Sequence, residues 1–279
     1  MRENDVFARP GETFDYTYLS LGVGVQSTAL LVLAAAGEAP RPEAAVFADT
    51  GDEPSWVYDY LKVLQAWSPI PIHVAQKGVL SEWVIDRQKQ GERFVTVPLY
   101  TLGEGGEREG MLRRQCSREF KIEPIEKKVR ELLGYEPRRR IRERVCCMMG
   151  ISVDELRRMR PSRTRWVTNR YPLVELGIDR EACKRIVLEA GLPEPKRSAC
   201  VYCPYHSDRY WAWMRDEHPA EFARAVVFDE AVRNMTMAGL ERPAFVHRSC
   251  VPLAVAELDT GDPDQGDLFT DECEGICGV

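Results

Sequence analysis

The sequence is poor in histidine and has no long apolar run. Its 279 residues include four His, and no Ser, His and Asp arrangement can be recognised that would assign a general base. The longest apolar stretch, around residues 29–36, falls well short of the roughly 20 residues of a membrane-spanning helix. The N-terminus is polar and acidic rather than signal-like. We therefore expect a cytoplasmic protein with no membrane contact.

The cysteines do not suggest a disulfide framework. There are nine of them, an odd number, spread through a sizeable chain. Metal binding or thiol chemistry explains them better. Cys146 and Cys147 are an exception, because they are adjacent within an apolar, strand-like run. Buried cysteine behaves as a small hydrophobic residue, and both are predicted to belong to the core.

Positive charge is concentrated in one segment of an acidic chain. Residues 113–165 hold 17 Lys or Arg and 8 Asp or Glu, a local balance of +9 in a chain whose net charge is -6. A basic stretch of this kind suits a polyanionic ligand, and nucleic acid is a candidate partner. The alternative is a set of solvated helix faces.

Strand-like and helix-like segments alternate along the N-terminal half. Strands are predicted at residues 16–21, 44–48 and 70–75, with helices after the first two. The first helix is predicted to end at Gly37, and the second to cover residues 55–67. This alternation indicates an α/β fold with a parallel sheet. Further predictions are a loop around residues 102–110, helices over 122–133, 179–190 and 219–238, and a strand over 145–151.

The segment between the first strand and first helix suits a phosphate group. Glycines at Gly22 and Gly24 let the main chain approach an anion, and the hydroxyls of Ser20, Ser27 and Thr28 can donate to it at a helix N-terminus. The segment has no Lys and matches neither common glycine-rich phosphate-loop pattern. The alternative is a tight strand-to-helix turn.

Two motifs in this half resemble a known family. The pattern Ser20-x-Gly22-x-Gly24-x-Gln26-Ser27 resembles the PP-loop, S-G-G-x-D-S, of N-type ATP pyrophosphatases and PAPS reductases. Residues 49–54, Asp-Thr-Gly-Asp-Glu-Pro, are similar to the D-T-G-x-E-x-P segment of PAPS reductase-like proteins. Looser similarities follow at residues 149–152 and 171–173, so the resemblance covers roughly residues 16–206.

The resemblance implies a Rossmann-like parallel sheet with helices on both faces. It also implies an adenine nucleotide, ATP or a sulfonucleotide, across the carboxyl ends of the strands, which is where open α/β sheets bind ligands in general. Asp49 and Glu53 are expected to serve the sugar or a Mg²⁺, with salt-bridged surface carboxylates as the alternative. The complete set of predicted nucleotide-binding residues is Ser20, Gly22, Gly24, Gln26, Ser27, Thr28, Asp49, Thr50, Gly51, Glu53, Gly150 and Ser152.

The predicted organisation has four parts. An N-terminal extension, residues 1–15, precedes the nucleotide-binding domain, residues 16–206. A helical, cysteine-bearing C-terminal region follows, made of a helical part at 207–258 and an acidic tail with cysteines at 259–279.

A second candidate site is built from cysteines. Cys200-Val201-Tyr202-Cys203 has the spacing in which two thiolates bind one metal or two thiols form a redox pair. In cluster-bearing relatives, an earlier cysteine followed by Lys and Pro joins the C-x-x-C to hold a 4Fe-4S cluster, and Cys116 matches that place. Cys273 is the predicted fourth ligand, with Cys277 as the alternative. Zinc, a redox dithiol and unconnected thiols remain open.

Three functions follow from these motifs. The first is sulfur transfer by adenylation and pyrophosphate release, with nucleic acid as a candidate acceptor and a sulfur or electron donor protein as a candidate partner. The second is reduction of phosphoadenylyl or adenylyl sulfate, in which Cys273 or Cys277 is the candidate catalytic thiol. The third is a nucleotide- or nucleic-acid-binding module without turnover. Gln26, which stands where ATP-cleaving relatives commonly have Asp, weighs against pyrophosphate release.

Overall fold

A computed structural model describes residues 7–8, 10–89, 97–103, 105–106, 108–233 and 243–258. The strands are β1 (Tyr16–Ser20), β2 (Ala44–Asp49), β3 (Ile72–Gln76), β4 (Tyr100–Leu102), β5 (Arg108–Met111), β6 (Val145–Met149), β7 (Val167–Arg170) and β8 (Ala244–Phe245). The α-helices are α1 (Val25–Ala36), α2 (Ser55–Trp67), α3 (Leu80–Lys89), α4 (Glu123–Leu132), α5 (Pro172–Glu175), α6 (Arg180–Glu189), α7 (Asp208–Glu217) and α8 (Pro219–Arg233). A π-helical turn (Arg118–Ile122) leads into α4, and 3-10 helices cover Val153–Arg158 and Leu253–Val255.

The main sheet has five strands in the order β3-β2-β1-β6-β7. All neighbouring pairs in it are parallel. The predicted α/β architecture with a parallel sheet is therefore confirmed. The chain adds β2 and β3 on one side of β1 and then returns to add β6 and β7 on the other. The order thus reverses between β1 and β6, and such a switch point opens a crevice at the carboxyl ends of the strands.

Helices cover both faces of this sheet, as predicted. Successive residues of a strand point to opposite faces, and in β1 Leu19 joins one buried cluster and Tyr18 another. The Leu19 cluster includes α1, which contacts α5 and α6. The Tyr18 cluster includes Ile125 and Val129 of α4, which lies against β2 and β3.

The predicted helix boundaries agree with the structure where a cap specifies them. Helix α1 ends at Gly37, whose φ of 81° lets its N–H reach the carbonyls of Leu33 and Ala34. At α6, the carboxylate of Asp179 accepts a hydrogen bond from the Ala182 N–H at 2.7 Å, as expected of an N-cap.

A second core forms away from the main sheet. Its buried residues come from α3, the π-helical turn, the loop after residue 200, and the C-terminal helices α7 and α8. The helical character predicted for the C-terminal region is thus confirmed within residues 207–233, while the acidic tail at 259–279 lies outside the described residues. The boundary at residue 206 remains a prediction, and this second core takes residues from both sides of it.

The loop predicted around residues 102–110 is wrong in part. Strands β4 and β5 form an antiparallel pair there, and β8 adds to β4 to complete a three-stranded sheet. Because β8 contributes only two residues, Ala244 and Phe245, it carries too little alternation to be recognised in sequence. Within the described residues, no helix is both long and apolar enough to cross a membrane.

Candidate nucleotide site

A cavity of about 540 Å³ lies at the carboxyl edge of the main sheet. Its lining includes residues at or near the carboxyl ends of β1, β2, β6 and β7. The π-helical turn, α4 and the loop at residues 160–164 complete its walls. The cavity therefore occupies the switch point between β1 and β6, where the strand order predicts a ligand site.

Positive charge dominates the lining of this cavity. Six basic side chains contribute to it, and two acidic ones, Glu123 and Glu126. The basic residues are Arg113, Arg114, Arg118, Lys121, Arg160 and Arg163. An excess of guanidinium and ammonium groups around a concave site favours an anionic ligand, because a cleft with one sign of charge concentrates the opposite sign.

The predicted phosphate loop lies partly at the cavity and partly behind it. Ser20 and Gly22 line the cavity, whereas Gln26, Ser27 and Thr28 form the buried first turn of α1. The Ser27 hydroxyl donates to the Gly24 carbonyl at 3.2 Å. Among the described residues, the Gln26 side-chain amide nitrogen has no hydrogen-bond partner. Phosphate contacts by Gly24, Gln26, Ser27 and Thr28 remain predictions.

The backbone of this loop is strained at Val23. Val23 has a φ of 61° and is buried, a conformation that is unusual for a β-branched residue. Holding a non-glycine residue there costs on the order of 1–3 kcal/mol, and such strain is found disproportionately at ligand-binding turns.

Gly150 packs behind the loop, and neither it nor Ser152 is among the residues that line the cavity. A Cβ added to Gly150 would lie 2.6 Å from the Ser27 nitrogen and 2.7 Å from its Cα. The segment after β6 thus packs directly on the start of α1. Ser152 is fully buried. The structure gives Gly150 a packing role, and nucleotide contact by either residue remains a prediction.

The second motif forms a turn held together by the Asp49 carboxylate. Its Oδ1 accepts hydrogen bonds from the Gly51 N–H at 2.7 Å and from the Tyr58 hydroxyl at 2.8 Å, and its Oδ2 accepts one from Gln76. Gly51 has a φ of 76°, which favours glycine at this turn. Asp49 therefore organises the loop that follows β2.

Glu53 of the same motif is completely buried and forms an ion pair. Its Oε1 lies 3.3 Å from Lys121 Nζ and its Oε2 accepts from the Ser198 hydroxyl at 3.3 Å. Lys121 also lines the cavity. The predicted contact of Glu53 with a sugar or Mg²⁺ remains a prediction, and the structure supplies it with a different partner.

Hydrogen bonds join this motif to the C-x-x-C segment. The Thr50 hydroxyl lies 3.3 Å from Cys200 Sγ, and the Asp52 carboxylate accepts from the Tyr202 hydroxyl at 2.6 Å. Burial, with the nearby Glu53 as the next cause, raises the pKa of Cys200 well above its usual value.

Three of the four predicted cysteine ligands lie within the described residues. Cys116 and Cys200 both pack at the second core, while Cys203 packs with Ala199. Within the described residues, no three His, Cys, Asp or Glu side chains form a metal-binding group. Cys273 and Cys277 lie outside those residues. The four-cysteine site remains a prediction.

Cys146 and Cys147 are buried, as predicted, but they point to opposite faces of the sheet. Cys146 packs in the Leu19 cluster, with α1, whereas Cys147 packs in the Tyr18 cluster, with α4, and lines the cavity. The sequence analysis missed this second role of Cys147. The sequence does indicate that successive residues of β6 point to opposite faces of the sheet. It does not show which face the helices leave open to a cavity. Burial raises the pKa of both thiols to about 12.

We predict that the buried thiols resist alkylation in the native state. Burial also raises the pKa of Cys183 to about 12, so only about one thiol in 10⁴ is ionised at pH 8, and the thiolate is the nucleophile. Cys146, Cys147 and Cys183 should remain unmodified by iodoacetamide at pH 8 while the urea-unfolded chain is labelled at all three. Peptide mass spectrometry measures this, and rapid native labelling of Cys147 would show instead that the cavity activates it.

The basic segment is divided between the two ends of the sheet. Arg113, Arg163 and the other cationic residues of the cavity lie at the carboxyl edge. Arg138, Arg139, Arg140 and Arg142 lie in the connection that leads into β6, whose first residue pairs with the first residue of β1. These four are exposed at the amino edge. Residues 113–165 therefore do not form a single continuous basic surface in the folded chain.

No protein-family model matches the chain, and no curated protein matches it. Among solved structures, it is similar to the crystal structure of phosphoadenylyl-sulfate (PAPS) reductase from Candida auris in its phosphate complex, with 14% sequence identity and a TM-score of 0.39. That similarity covers 66% of this chain and 76% of the other.

Proposed function

We propose that the protein is an enzyme that binds ATP in the cavity at the carboxyl edge and adenylates an oxygen of the sulfur acceptor, with release of pyrophosphate. Sulfur from a donor protein then displaces AMP from the activated acceptor. The observation that carries the proposal is the position of this cavity. It lies at the switch point of a parallel sheet, with Ser20 and Gly22 of the PP-loop-like segment and six basic side chains in its lining. The reaction itself is proposed from the resemblance of the two motifs.

The cationic side chains are suited to charge that develops on a leaving pyrophosphate. Fixed donors aimed at such charge lower the barrier more than donors that must first reorganise. Several cations here are already held in place: Lys121 by Glu53, Arg118 by Glu123, and Arg160 by the carbonyls of its own loop. Lys121 is largely buried against Glu53, so its position is set before a ligand arrives, whereas Arg118 and Arg160 are exposed.

The predicted Mg²⁺ does not fit the carboxylates as they stand. Glu53 is buried against Lys121, and Asp49 is engaged by Gly51 and Tyr58. Mg²⁺ requires near-octahedral oxygen ligands and usually takes some of them from substrate phosphates. We therefore assign no step to a protein-held Mg²⁺.

The direct test is titration of the purified protein with ATP, phosphoadenylyl sulfate and adenylyl sulfate by isothermal calorimetry, with a pyrophosphate-release assay for ATP. We expect micromolar binding of at least one nucleotide and pyrophosphate release once the sulfur acceptor is supplied. If the protein binds none of the three nucleotides, the proposal is rejected. Binding of a nucleotide without any turnover would favour a non-catalytic binding module.

A paired set of arginine variants locates the phosphate site. Among the described residues, Arg113 and Arg163 line the cavity without an ion pair, so a ligand is their natural partner. Arg113→Ser with Arg163→Ser should weaken nucleotide binding about tenfold, since hydrogen bonds to charged groups contribute about 1.5–3 kcal/mol and exposure reduces this. The loss should shrink as salt is raised.

The control for that pair is Arg139→Ser with Arg140→Ser, which removes the same charge from the amino edge. It should leave nucleotide affinity within twofold of the parent. Equal losses from both pairs would mean that net charge, rather than the cavity, determines binding. The same two pairs assign a nucleic-acid contact to one edge of the sheet in a filter-binding assay.

Gln26 favours a second candidate, reduction of a sulfonucleotide. In that reaction a thiolate attacks the sulfur, the S–O bond to the nucleotide phosphate breaks and the adenosine phosphate leaves. A second thiol then attacks the sulfur of the first, which forms a disulfide and releases sulfite, and no α–β phosphate bond breaks, so an Asp at position 26 is not required. Sulfite formation from phosphoadenylyl or adenylyl sulfate with a dithiol donor protein, without pyrophosphate release from ATP, would establish this candidate.

The 4Fe-4S cluster and its zinc alternative remain part of the proposal. Iron, zinc and sulfide analysis of anaerobically purified protein, compared with Cys200→Ser, measures both. About four irons per chain that are lost in the variant would support the cluster, and stoichiometric zinc would support the alternative. Neither metal bound would reject both.

A further inference from the structure

Among the described residues, one of the two acidic side chains that line the cavity forms no ion pair. Glu126 of α4 lines the cavity and is half-buried. Glu123, the other acidic residue there, is exposed and pairs with Arg118 at 3.3 Å. Within the described residues, Glu126 forms no ion pair and accepts a hydrogen bond from the Thr164 hydroxyl. Arg118 and Arg130 act on Glu126 electrostatically without forming an ion pair with it. A partly buried carboxylate with no cation in direct contact inside a cationic cavity calls for a specific explanation.

The surroundings of Glu126 differ from those of the arginines. The side chains of Tyr18 and Cys147 line the cavity from β1 and β6, and both interact electrostatically with Glu126. Ile125, Met149 and Val167 pack in the same buried cluster as Tyr18 and Cys147 and also line the cavity. Burial is the main cause that raises the pKa of Glu126. Glu126 therefore lies where the apolar part of the lining meets its cations.

A phosphate group is disfavoured next to Glu126, because two negative charges at short range repel each other in a partly buried site. An uncharged ring with a hydrogen-bond donor is favoured there instead. The aliphatic side chains can contact its faces, and one Glu126 oxygen remains for the donor while Thr164 engages the other. A nucleotide has both kinds of group, phosphates at one end and a nucleoside at the other.

We propose that Glu126 is a specificity-determining residue that accepts a hydrogen bond from the nucleoside of the bound nucleotide, either from an exocyclic amine of the base or from a ribose hydroxyl. It selects the nucleoside, while the arginines bind the phosphates. This inference rests on the proposed function, since it requires that a nucleotide occupies the cavity.

Four ligands separate the possible donors by calorimetry: ATP, ITP, 2′-deoxy-ATP and 3′-deoxy-ATP. ITP has a carbonyl oxygen where ATP has the exocyclic amine. If the amine is the donor, the wild type should prefer ATP to ITP about tenfold or more, because a charged acceptor that loses its donor is left unpaired. If a ribose hydroxyl is the donor, one of the two deoxy nucleotides should show that loss instead.

The variants Glu126→Ala and Glu126→Gln identify the acceptor. Glu126→Ala should reduce the affinity for ATP about tenfold and abolish the preference. Glu126→Gln should weaken it too, and if the base amine is the donor it should shift selectivity toward ITP, whose carbonyl oxygen can accept from the Gln amide. Tripolyphosphate, which has no nucleoside, should bind wild type and both variants within about twofold.

Thr164→Val separates ligand binding from support of the 160–164 loop. It removes the hydrogen bond to Glu126 but keeps the carboxylate, so the nucleotide preference should persist. If Thr164→Val and Glu126→Ala weaken ATP and tripolyphosphate equally, Glu126 only supports the loop and the inference is wrong. If the wild type binds ATP but discriminates against none of the other three nucleotides, the inference also fails, whereas absence of all nucleotide binding would reject the proposed function itself.

Discussion

Gly150→Ala should destabilise the protein by about 3 kcal/mol and weaken nucleotide binding about tenfold. The added Cβ would lie 2.6 Å from the Ser27 nitrogen, 2.7 Å from its Cα and 2.9 Å from the Gln26 carbonyl carbon. These are backbone atoms in the first turn of α1, so no side-chain rotation relieves the contact. Overpacking of this kind typically costs about 1–3 kcal/mol, and backbone contact places it at the upper end.

The loss of binding follows from the same displacement. The segment after β6 and the start of α1 are packed together at the switch point, and pushing them apart moves the phosphate loop relative to the cavity. Chemical denaturation in urea measures the stability change, and calorimetry with the nucleotide measures the affinity.

Gly24→Ala is the matched control. A Cβ at Gly24 has no atom within 4 Å, and its φ of -98° suits any residue. This variant should keep the parent stability within about 1 kcal/mol. If it nevertheless loses affinity, a phosphate lies against Gly24. If Gly150→Ala unfolds at the same urea concentration as the parent, the close packing of the two segments is not what holds the loop.

Lys121→Met should be the most destabilising single change around the Glu53 network, at about 3–5 kcal/mol. Glu53 is 0% exposed and Lys121 Nζ lies 3.3 Å from its Oε1. Removing the cation leaves an uncompensated buried carboxylate, and breaking a buried pair in this way costs several kcal/mol. The Ser198 hydroxyl, at 3.3 Å from Oε2, cannot replace a full positive charge.

The double variant Lys121→Met with Glu53→Gln provides the control. Gln keeps the shape of Glu and needs no counter-ion, so about half or more of the lost stability should return. Urea unfolding of the parent, both single variants and the double variant completes the cycle. Additive losses would contradict a direct interaction between the two side chains.

The sequence determined much of the main sheet. Strands β1, β2 and β6 were predicted within two residues of their bounds because buried parallel strands are short apolar runs followed by turn residues. Helix α1 and its end at Gly37 were also predicted from neighbouring residues, because a glycine commonly ends a helix in the left-handed conformation. These features depend on residues that are close in the chain, which is why one sequence is enough to recognise them.

The tertiary structure decided which side chains meet. Glu53 and Lys121 are 68 residues apart and Thr50 and Cys200 are 150 apart, and no pattern along the chain signals either contact. The two-residue strand β8 is specified by its pairing with β4 rather than by its own composition.

The fold also decides which charged and thiol side chains line the cavity. The positive charge of residues 113–165 was visible in the sequence, but the direction of α4 sends Arg138–Arg142 to the edge opposite the cavity. Cys147 and Glu126 contribute to the lining because β6 and α4 present those positions to a part of the sheet that α4 does not cover. Local sequence specifies which face of an element is apolar, whereas the packing of distant elements decides which part of that face stays open to a ligand.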